Sequence, residues 1–403
     1  MSPTRKRAAS PGAGARSKLS TRSVAEAASL EELFEHSLPS FGGAYLRRLW
    51  LLLDEAIGSG VPMTLAVAGP VTASGQHHAW LNPLLDTGWF LLVSTTDAVC
   101  YHDGHRSLPG AGEESFFEVP IFGDDAALRE EEIIRICDIG FSEGVLLDQD
   151  AFLTACLARE EFQRKMSGTE MRHLLGACFA AQEAQSGARE GFLALCTRKS
   201  IPVFVGAPAD GSVFLNAMKL WALAESPASF AFELDLYREV FESCAIHWWG
   251  QMETESAGLG TLILGGGVPK NFNLQPEPAL SQIFGLEGVR GYLFDIQITT
   301  APVSDGSLSS CPPSEAVTWG KVDPEHFSSR CESVPGDYSM LMPLITKALL
   351  DKRARLADLE EEIGRAELFG RHPEARGYLR DTGGYRLYER LDKLTASLRS
   401  AIG

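Results

Sequence analysis

No Cys-x-x-Cys pair occurs in this chain, although it has eight cysteines: Cys100, Cys137, Cys156, Cys178, Cys196, Cys244, Cys311 and Cys331. That spacing argues against zinc knuckles and thioredoxin-like motifs and predicts reduced thiols in a cytoplasmic protein. Long apolar runs are missing as well. None reaches the roughly 18–20 residues of a membrane-spanning helix, and no apolar signal segment opens the chain, so no membrane association is expected. Positive charge is scarce: 36 Lys and Arg face 53 Asp and Glu, a formal net charge of -17. A general nucleic-acid surface is not expected on such a chain. Neither a GxxxxGKS/T phosphate loop nor a GxGxxG turn with an acidic partner is present.

What is present is a repeated grammar of apolar run, turn and helical periodicity. Runs at 61–68, 90–96, 201–205, 262–264 and 291–300 have the length and composition of buried strands. Their alternation with helical patterns predicts one doubly wound, mostly parallel α/β sheet with terminal helical additions. Residues 1–23 carry six Lys or Arg and no acid and form a flexible basic tail in this reading. The α/β domain is then 24–345, with a helical extension at 346–403. Helices are expected at 41–57, from Thr72 or Ser74, at 148–162 (capped by Asp148 or Asp150), 168–184, 352–368 and 385–402.

The chemistry-bearing groups cluster after the strand runs, where ligands bind in open α/β sheets. The central stretch is TLILGGGVPKNFNLQ, 261–275, whose Gly265, Gly266 and Gly267 can bring backbone N–H groups close to a bound group. A plain tight turn is the alternative. After the run at 90–96 come Tyr101, His102, Asp103 and His105. A metal set there would need a second segment, so no metal is expected and substrate or cofactor contact is preferred. Asp210, Gly211 and Ser212 could orient a ribose, an amide or an ammonium, or serve only as a helix cap. The richest segment is 304–321, with Asp305, Ser307, Ser309, Ser310, Glu315, Trp319 and Lys321. A lysine in a partly closed apolar pocket sheds its proton more readily and can attack an imine or carbonyl, whereas an exposed one is only a solvated ammonium.

The ordered set STTDAVCYHD, IPVFVGAPADGS, LILGGGVPKN and DGSLSSCPPSEAVTWGK resembles the deoxyhypusine synthase family and its homospermidine synthase relatives. The likeness is greatest to the bacterial deoxyhypusine-synthase-like branch and covers roughly residues 40–345. It implies a Rossmann-like subunit, usually in a homotetramer, with NAD sites near subunit interfaces. It also implies that Lys321 captures an aminobutyl imine, with His102 as a further acid–base group. Glu315, Trp319 and Asn271 would contact substrate. Thr95, Thr96, Asp210, Gly265, Gly266, Gly267, Asp305 and Asp337 would contact the cofactor.

This chain departs from the family pattern in its amine pocket. Tyr101 and His102 replace paired glutamates, Asn271 replaces a histidine, and Leu215 and Leu308 replace acids. The resulting expectation is NAD-dependent aminoalkyl, in particular aminobutyl, transfer between polyamine-like small amines. Protein-directed deoxyhypusine synthesis and a non-catalytic NAD- or polyamine-binding sensor are the other readings.

Overall fold

The β-rich apolar runs assemble side by side, and together they make one sheet. In the computed structural model, which describes residues 19–108, 112, 115–380 and 385–403, these strands are β1 (Met63–Val67), β2 (Phe90–Thr95), β3 (Val203–Val205), β4 (Gly260–Leu264), β5 (Phe294–Thr299) and β6 (Cys331–Pro335). All neighbouring pairs are parallel, in the order β6-β5-β4-β1-β2-β3. This is the Rossmann-like doubly wound order. Residues 1–18, most of the basic tail read from the sequence, lie outside the described residues.

Every residue of β1, β2, β3, β4 and β5 is buried, because both faces of the sheet carry helices. The pleat sends alternate side chains to opposite cores. Leu65 and Val67 of β1 and Leu262 and Leu264 of β4 join a large core with Leu49, Trp50, Leu53 and Ile345. Ala66 and Ile263 face a second core with Cys244, Trp249, Leu391 and Leu398. Each fully buried Leu or Ile stabilises by about 1.5–3 kcal/mol, so a charged residue at Ile263 would break the second face.

The helix Leu387–Ile402 places Leu387, Leu391, Leu394 and Leu398 on one stripe, and that stripe covers the second core. The helix Tyr338–Ile363 runs through position 345, packs on the large core, and ends at Gly364. No helix among the described residues is long and apolar enough to cross a membrane.

Several element boundaries differ from the sequence reading. The helix expected at 148–162 runs Glu143–Leu157, because Ser142 caps it through the Gly144 N–H at 3.2 Å. The helix expected at 352–368 starts at Tyr338, capped by Asp337, whose Oδ1 accepts from Ser339 N at 2.8 Å. The helix placed at Thr72 or Ser74 begins instead with a wide turn, His77–Leu81, running into Asn82–Asp86. β6 was not foreseen: CESVP mixes polar residues with a proline, a composition tolerated only at a sheet edge. The apolar stretch near 133–139 folds as two antiparallel strands, Ile133–Ile136 and Ile139–Ser142, in a small separate sheet.

Candidate functional site

The strand order reverses between β1 and β4, and crevices at such points receive ligands in open α/β sheets. At the exit of β4, Gly265 and Gly267 take positive φ of 84° and 60°. Gly266 is held differently. A Cβ there would lie 2.5 Å from Ser309 Oγ and 2.6 Å from Ser309 Cα, so only glycine lets the two segments meet. The Gly267 N–H then donates to Ser309 Oγ at 3.1 Å. The two motifs that looked most chemical in the sequence therefore pack backbone against backbone.

This packing leaves a cavity of about 300 Å³ across the carboxyl ends of β4, β5 and β6. Its walls include Gly265, Gly266, Thr299, Asp305, Ser307 and Asp337. Asp305 is exposed and is held by the Ser307 N–H at 3.1 Å and the Ser307 hydroxyl at 2.9 Å. Asp337 is also exposed and caps the long helix. Tyr338 closes the far end by donating its hydroxyl to Ala68 O at 2.7 Å, which ties the cavity to the exit of β1. Two carboxylates beside a glycine turn can accept from sugar hydroxyls, while the turn itself, its Gly265 N–H given to Ile298 O at 2.8 Å, lets a phosphate approach the backbone closely. The residues present thus fit a nucleotide.

One wall leads to the lysines. Gln297 of β5 donates to Gly265 O at 3.0 Å and Ser309 O at 2.7 Å, and accepts from Lys270 Nζ at 2.8 Å. Lys270 Nζ also donates to Cys311 O at 2.6 Å. Burial pushes the Lys270 ammonium below the usual lysine range, while the nearby Asp295 pulls it back up. Glu315 and Lys321 lie within electrostatic reach of Lys270. The Lys321 Nζ stands 5.8 Å from the centroid of the Trp319 ring, on the half-turn that follows the short helix Pro313–Ala316. Asn271 is one residue on from Lys270, half-buried in the helix Gly267–Asn273.

The structure therefore brings Gly265, Gly266, Asp305 and Asp337 to one cavity, with Gly267, Asn271, Glu315, Trp319 and Lys321 in the segments beside it. Lys270, Gln297 and Asp295 were not singled out from the sequence. The signal was there for two of them: Asp295 and Gln297 are polar residues at alternate positions of an otherwise apolar strand.

The remaining candidates line the exits of β2 and β3. The Thr95 hydroxyl is buried and donates to Val67 O at 2.8 Å, bracing β2 against β1. Thr96 precedes the helix Asp97–Asp103. Asp210 is exposed in a one-turn helix, Pro208–Asp210. The cap of the next helix comes from elsewhere: Asp97 Oδ2 accepts from Val213 N at 2.9 Å, and a Cβ on Gly211 would lie 2.1 Å from the Asp97 side chain.

His102 packs edge-on to His105 at 4.7 Å between ring centroids and to Tyr101 at 5.1 Å. Burial pushes His102 down to about 4, so it is neutral at pH 7. Tyr101 donates its hydroxyl to Asp150 at 3.0 Å, and the same Asp150 oxygen accepts from Asn216 Nδ2 at 2.8 Å. Among the described residues these histidines do not assemble a metal set; the one group close enough is Asp323, Glu325 and His326. There the Asp323 carboxylate accepts from the Glu325 N–H at 2.7 Å and sits 3.1 Å from His326 Nδ1, as a local turn requires.

The deoxyhypusine synthase family model matches residues 31–349. This chain belongs to the deoxyhypusine synthase family. Its relatives include proteins named deoxyhypusine synthase-like in cyanobacteria, which puts it in the bacterial branch. The protein of Cyanothece sp. is 34% identical over 342 residues, covering 84% of this chain and 83% of its own. That of Nostoc sp. is 36% identical over 343 residues, covering 83% of this chain and 86% of its own. That of Thermosynechococcus vestitus is 35% identical over 327 residues, covering 80% and 79%. Membership in this family makes the chain one of an enzyme fold, and the glycine-turn cavity lies at the carboxyl ends of its strands.

Proposed function

We propose that the chain is an NAD-dependent aminoalkyl transferase that moves an aminobutyl group between polyamine-like small amines. The observation that carries this reading is Lys321, set 5.8 Å from the Trp319 ring and within reach of Lys270, in the segment that also walls the glycine-turn cavity. The chemistry supplied by bound NAD is hydride acceptance and return at the carbon beside an amine nitrogen. Asp305 and Asp337 would accept hydrogen bonds from sugar hydroxyls, and the bare turn of Gly265, Gly266 and Gly267 would let the phosphates lie close, the Gly265 and Gly267 N–H groups being given to Ile298 O and Ser309 Oγ. Thr95, Thr96 and Asp210 would contact the cofactor from the β2 and β3 exits.

Lys321 would attack the electrophilic carbon of the substrate imine, and the donor's C–N bond would break as its remaining amine leaves with a proton. The lysine would hold the alkyl fragment as an imine until an acceptor amine adds to the same carbon and displaces it. Trp319 shields that centre from water, Glu315 holds a substrate ammonium, and Asn271 hydrogen-bonds along the amine chain. His102, neutral at pH 7, would accept a proton at the acceptor end. Protein-directed hypusination ranks lower, because Leu215 and Leu308, both exposed, offer hydrocarbon where the family pattern has acids.

We also infer a homotetramer. Leu236, Tyr237, Val240 and Ile283 are exposed along an apolar groove of about 730 Å³, the kind of face that subunit contact covers. Light scattering showing a stable monomer at micromolar concentration would remove that inference.

The test of function is an NAD-dependent screen of diamines, spermidine, agmatine and aminopropylated amines, with products resolved by mass. A product heavier than its acceptor by one aminobutyl unit is expected. Ligand binding by calorimetry without any product would instead establish a sensor.

A further inference from the structure

The loop that leads to Lys321 is held from the side of the glycine turn. From Ser304 to Thr318 its side chains are exposed or half-buried, save Ser310, Pro313 and Ala316. Among the described residues, the hydrogen bonds that tie this stretch to other elements come from three donors. The Gly267 N–H reaches Ser309 Oγ, the Gln297 side chain reaches Ser309 O, and Lys270 Nζ reaches Cys311 O. Gly267 and Lys270 belong to the helix Gly267–Asn273 that the glycine turn opens, and Gln297 lies in β5.

Gln297 is the hub of this arrangement. It is fully buried, and all of its side-chain polar atoms are used. Nε2 donates to Gly265 O in the turn at 3.0 Å and to Ser309 O in the loop at 2.7 Å. Oε1 accepts from Lys270 Nζ at 2.8 Å, and the same Nζ reaches Cys311 O at 2.6 Å. Lys270 is 3% exposed, and both of these partners are oxygens of neutral amide groups. The pair therefore orients amides rather than cancelling a charge. Out of water such bonds are strong and polarise one another, so a fully met amide is a stiff link. One side chain thus grips the cofactor turn with one N–H and the lysine loop with the other. Past Cys311 the loop runs through Glu315 and Trp319 to Lys321, whose carbonyl accepts from Tyr292 N at 2.9 Å.

We propose that Gln297, braced by Lys270, is a positioning residue that sets Lys321 relative to the cofactor. With the turn occupied, Gly265 is fixed, and Gln297 is fixed through it. Ser309 and Cys311 follow, and with them the stretch that carries Glu315, Trp319 and Lys321. The inference rests on the reading of the cavity as the NAD site and of Lys321 as the nucleophile.

The test reads amide exchange of the full chain by mass, with and without saturating NAD. In the wild type, NAD is expected to slow exchange about fivefold or more at 265–273 and again at 312–321. Gln297→Glu is equal in size and keeps an acceptor for Lys270, but it loses both N–H donations. In that variant the slowing at 265–273 should stay within about twofold of wild type, and the slowing at 312–321 should fall below about twofold. A merely structural role would speed exchange at 312–321 equally with and without NAD and leave that ratio unmoved. An unmoved ratio, wild-type slowing confined to 265–273, or slowing lost equally at both stretches would overturn the inference. If Gln297→Glu does not fold, Gln297→Met takes its place under the same criteria. Amine transfer with an unmoved ratio would sink this inference alone. The expected pattern without any transfer product would sink the proposed transfer alone. No slowing anywhere in the wild type would remove the proposed cofactor and this inference with it.

Discussion

On the β4–β6 side of the sheet ionisable groups stand beside an open cavity, whereas on the β2 side they are sealed in the core. There they lie against hydrocarbon and backbone or in buried pairs, such as Arg172 with Glu239 and His77 Nε2 at 3.7 Å from Asp103 Oδ1. Lys270 lies within electrostatic reach of Asp295, Glu315 and Lys321, in the segments beside the glycine-turn cavity. His102 and His105 pack instead against Tyr101, Phe116 and Phe141. Asp103 is buried and spends its two oxygens on the Phe192 and Leu193 N–H groups, both at 2.7 Å. Burial raises Asp103 to about 7 and lowers His102 to about 4, so isolation neutralises both kinds of group. The contrast separates a strongly perturbed titration from a chemical task. Perturbation alone marks both regions, but only one stands beside the open glycine-turn cavity. Damage on the β4–β6 side should therefore cost chemistry first, and damage to the sealed groups of the β2 side should cost stability first.

The largest effect is expected at Lys321. Lys321→Arg keeps the charge, but a guanidinium stays protonated and is a poor nucleophile, so transfer should fall by about 1,000-fold or more. NAD affinity and melting temperature should stay near wild type, because Lys321 is half-buried and its backbone carries its structural bond. Borohydride added during turnover should fix an alkyl group on wild-type Lys321 and none on the variant. Near-normal transfer by the arginine variant would point to direct transfer between amines.

Gly266 comes next, because it serves both structure and cofactor. Gly266→Ala drives a methyl group into Ser309 backbone at 2.6 Å, so the turn and the serine segment must part. A loss of about 1–3 kcal/mol in stability is expected, together with roughly tenfold weaker NAD binding, read by calorimetry and by urea denaturation. Gly267→Ala is the control. It meets nothing within 4 Å but keeps φ at 60°, and should cost only about 1 kcal/mol. Equal NAD affinities in the two variants would detach the cofactor from this turn.

How far the sequence foretells this division depends on whether a signal is local. The strand runs are local, and all five fall in the one sheet. The glycine turn and the Asp305–Lys321 segment are equally visible, since polar groups just beyond an apolar strand stand out. Glu277 gives no such sign: LQPEPAL looks like a turn, and its carboxyl is buried because the helix Leu236–Met252 packs over it. Asp97 escaped for the same reason, because it caps a helix that begins 115 residues later, at Ser212. The histidines are the reverse case, conspicuous in the sequence but placed by distant packing. Four ionisable side chains within 101–105 suggest a site, but the packing of Phe116 and Phe141 is set by a separate sheet.

Asp150 sharpens the comparison from the β2 side. Asp150→Ala strips the partner from the Tyr101 hydroxyl and one of two acceptors from Asn216 Nδ2, which keeps Ser212 O at 2.9 Å. Leaving such groups unmet costs about 1–3 kcal/mol each at most, so the melting temperature should drop measurably. Transfer by the folded variant should change less than about threefold. A tenfold loss of transfer without loss of stability would move Tyr101 into the substrate site.

The smallest effect is the pH response of His102. Its folded value, about 4, lies below the ordinary histidine value of about 6.5. The unfolded chain therefore binds a proton that the folded chain refuses as pH falls below 6.5. The stability gained by keeping His102 neutral is complete above pH 6.5 and is lost as pH falls toward 4. Asp103 works the other way, since its folded value of about 7 favours the folded state as pH falls through that range. The two trends oppose each other in the wild type, so the informative quantity is a difference. Thermal melts of wild type and His102→Gln should diverge between pH 7 and pH 5, with the variant losing less stability by on the order of 1–2 kcal/mol. Parallel curves would mean that His102 takes up its proton in the folded protein, as a group open to solvent or to substrate would.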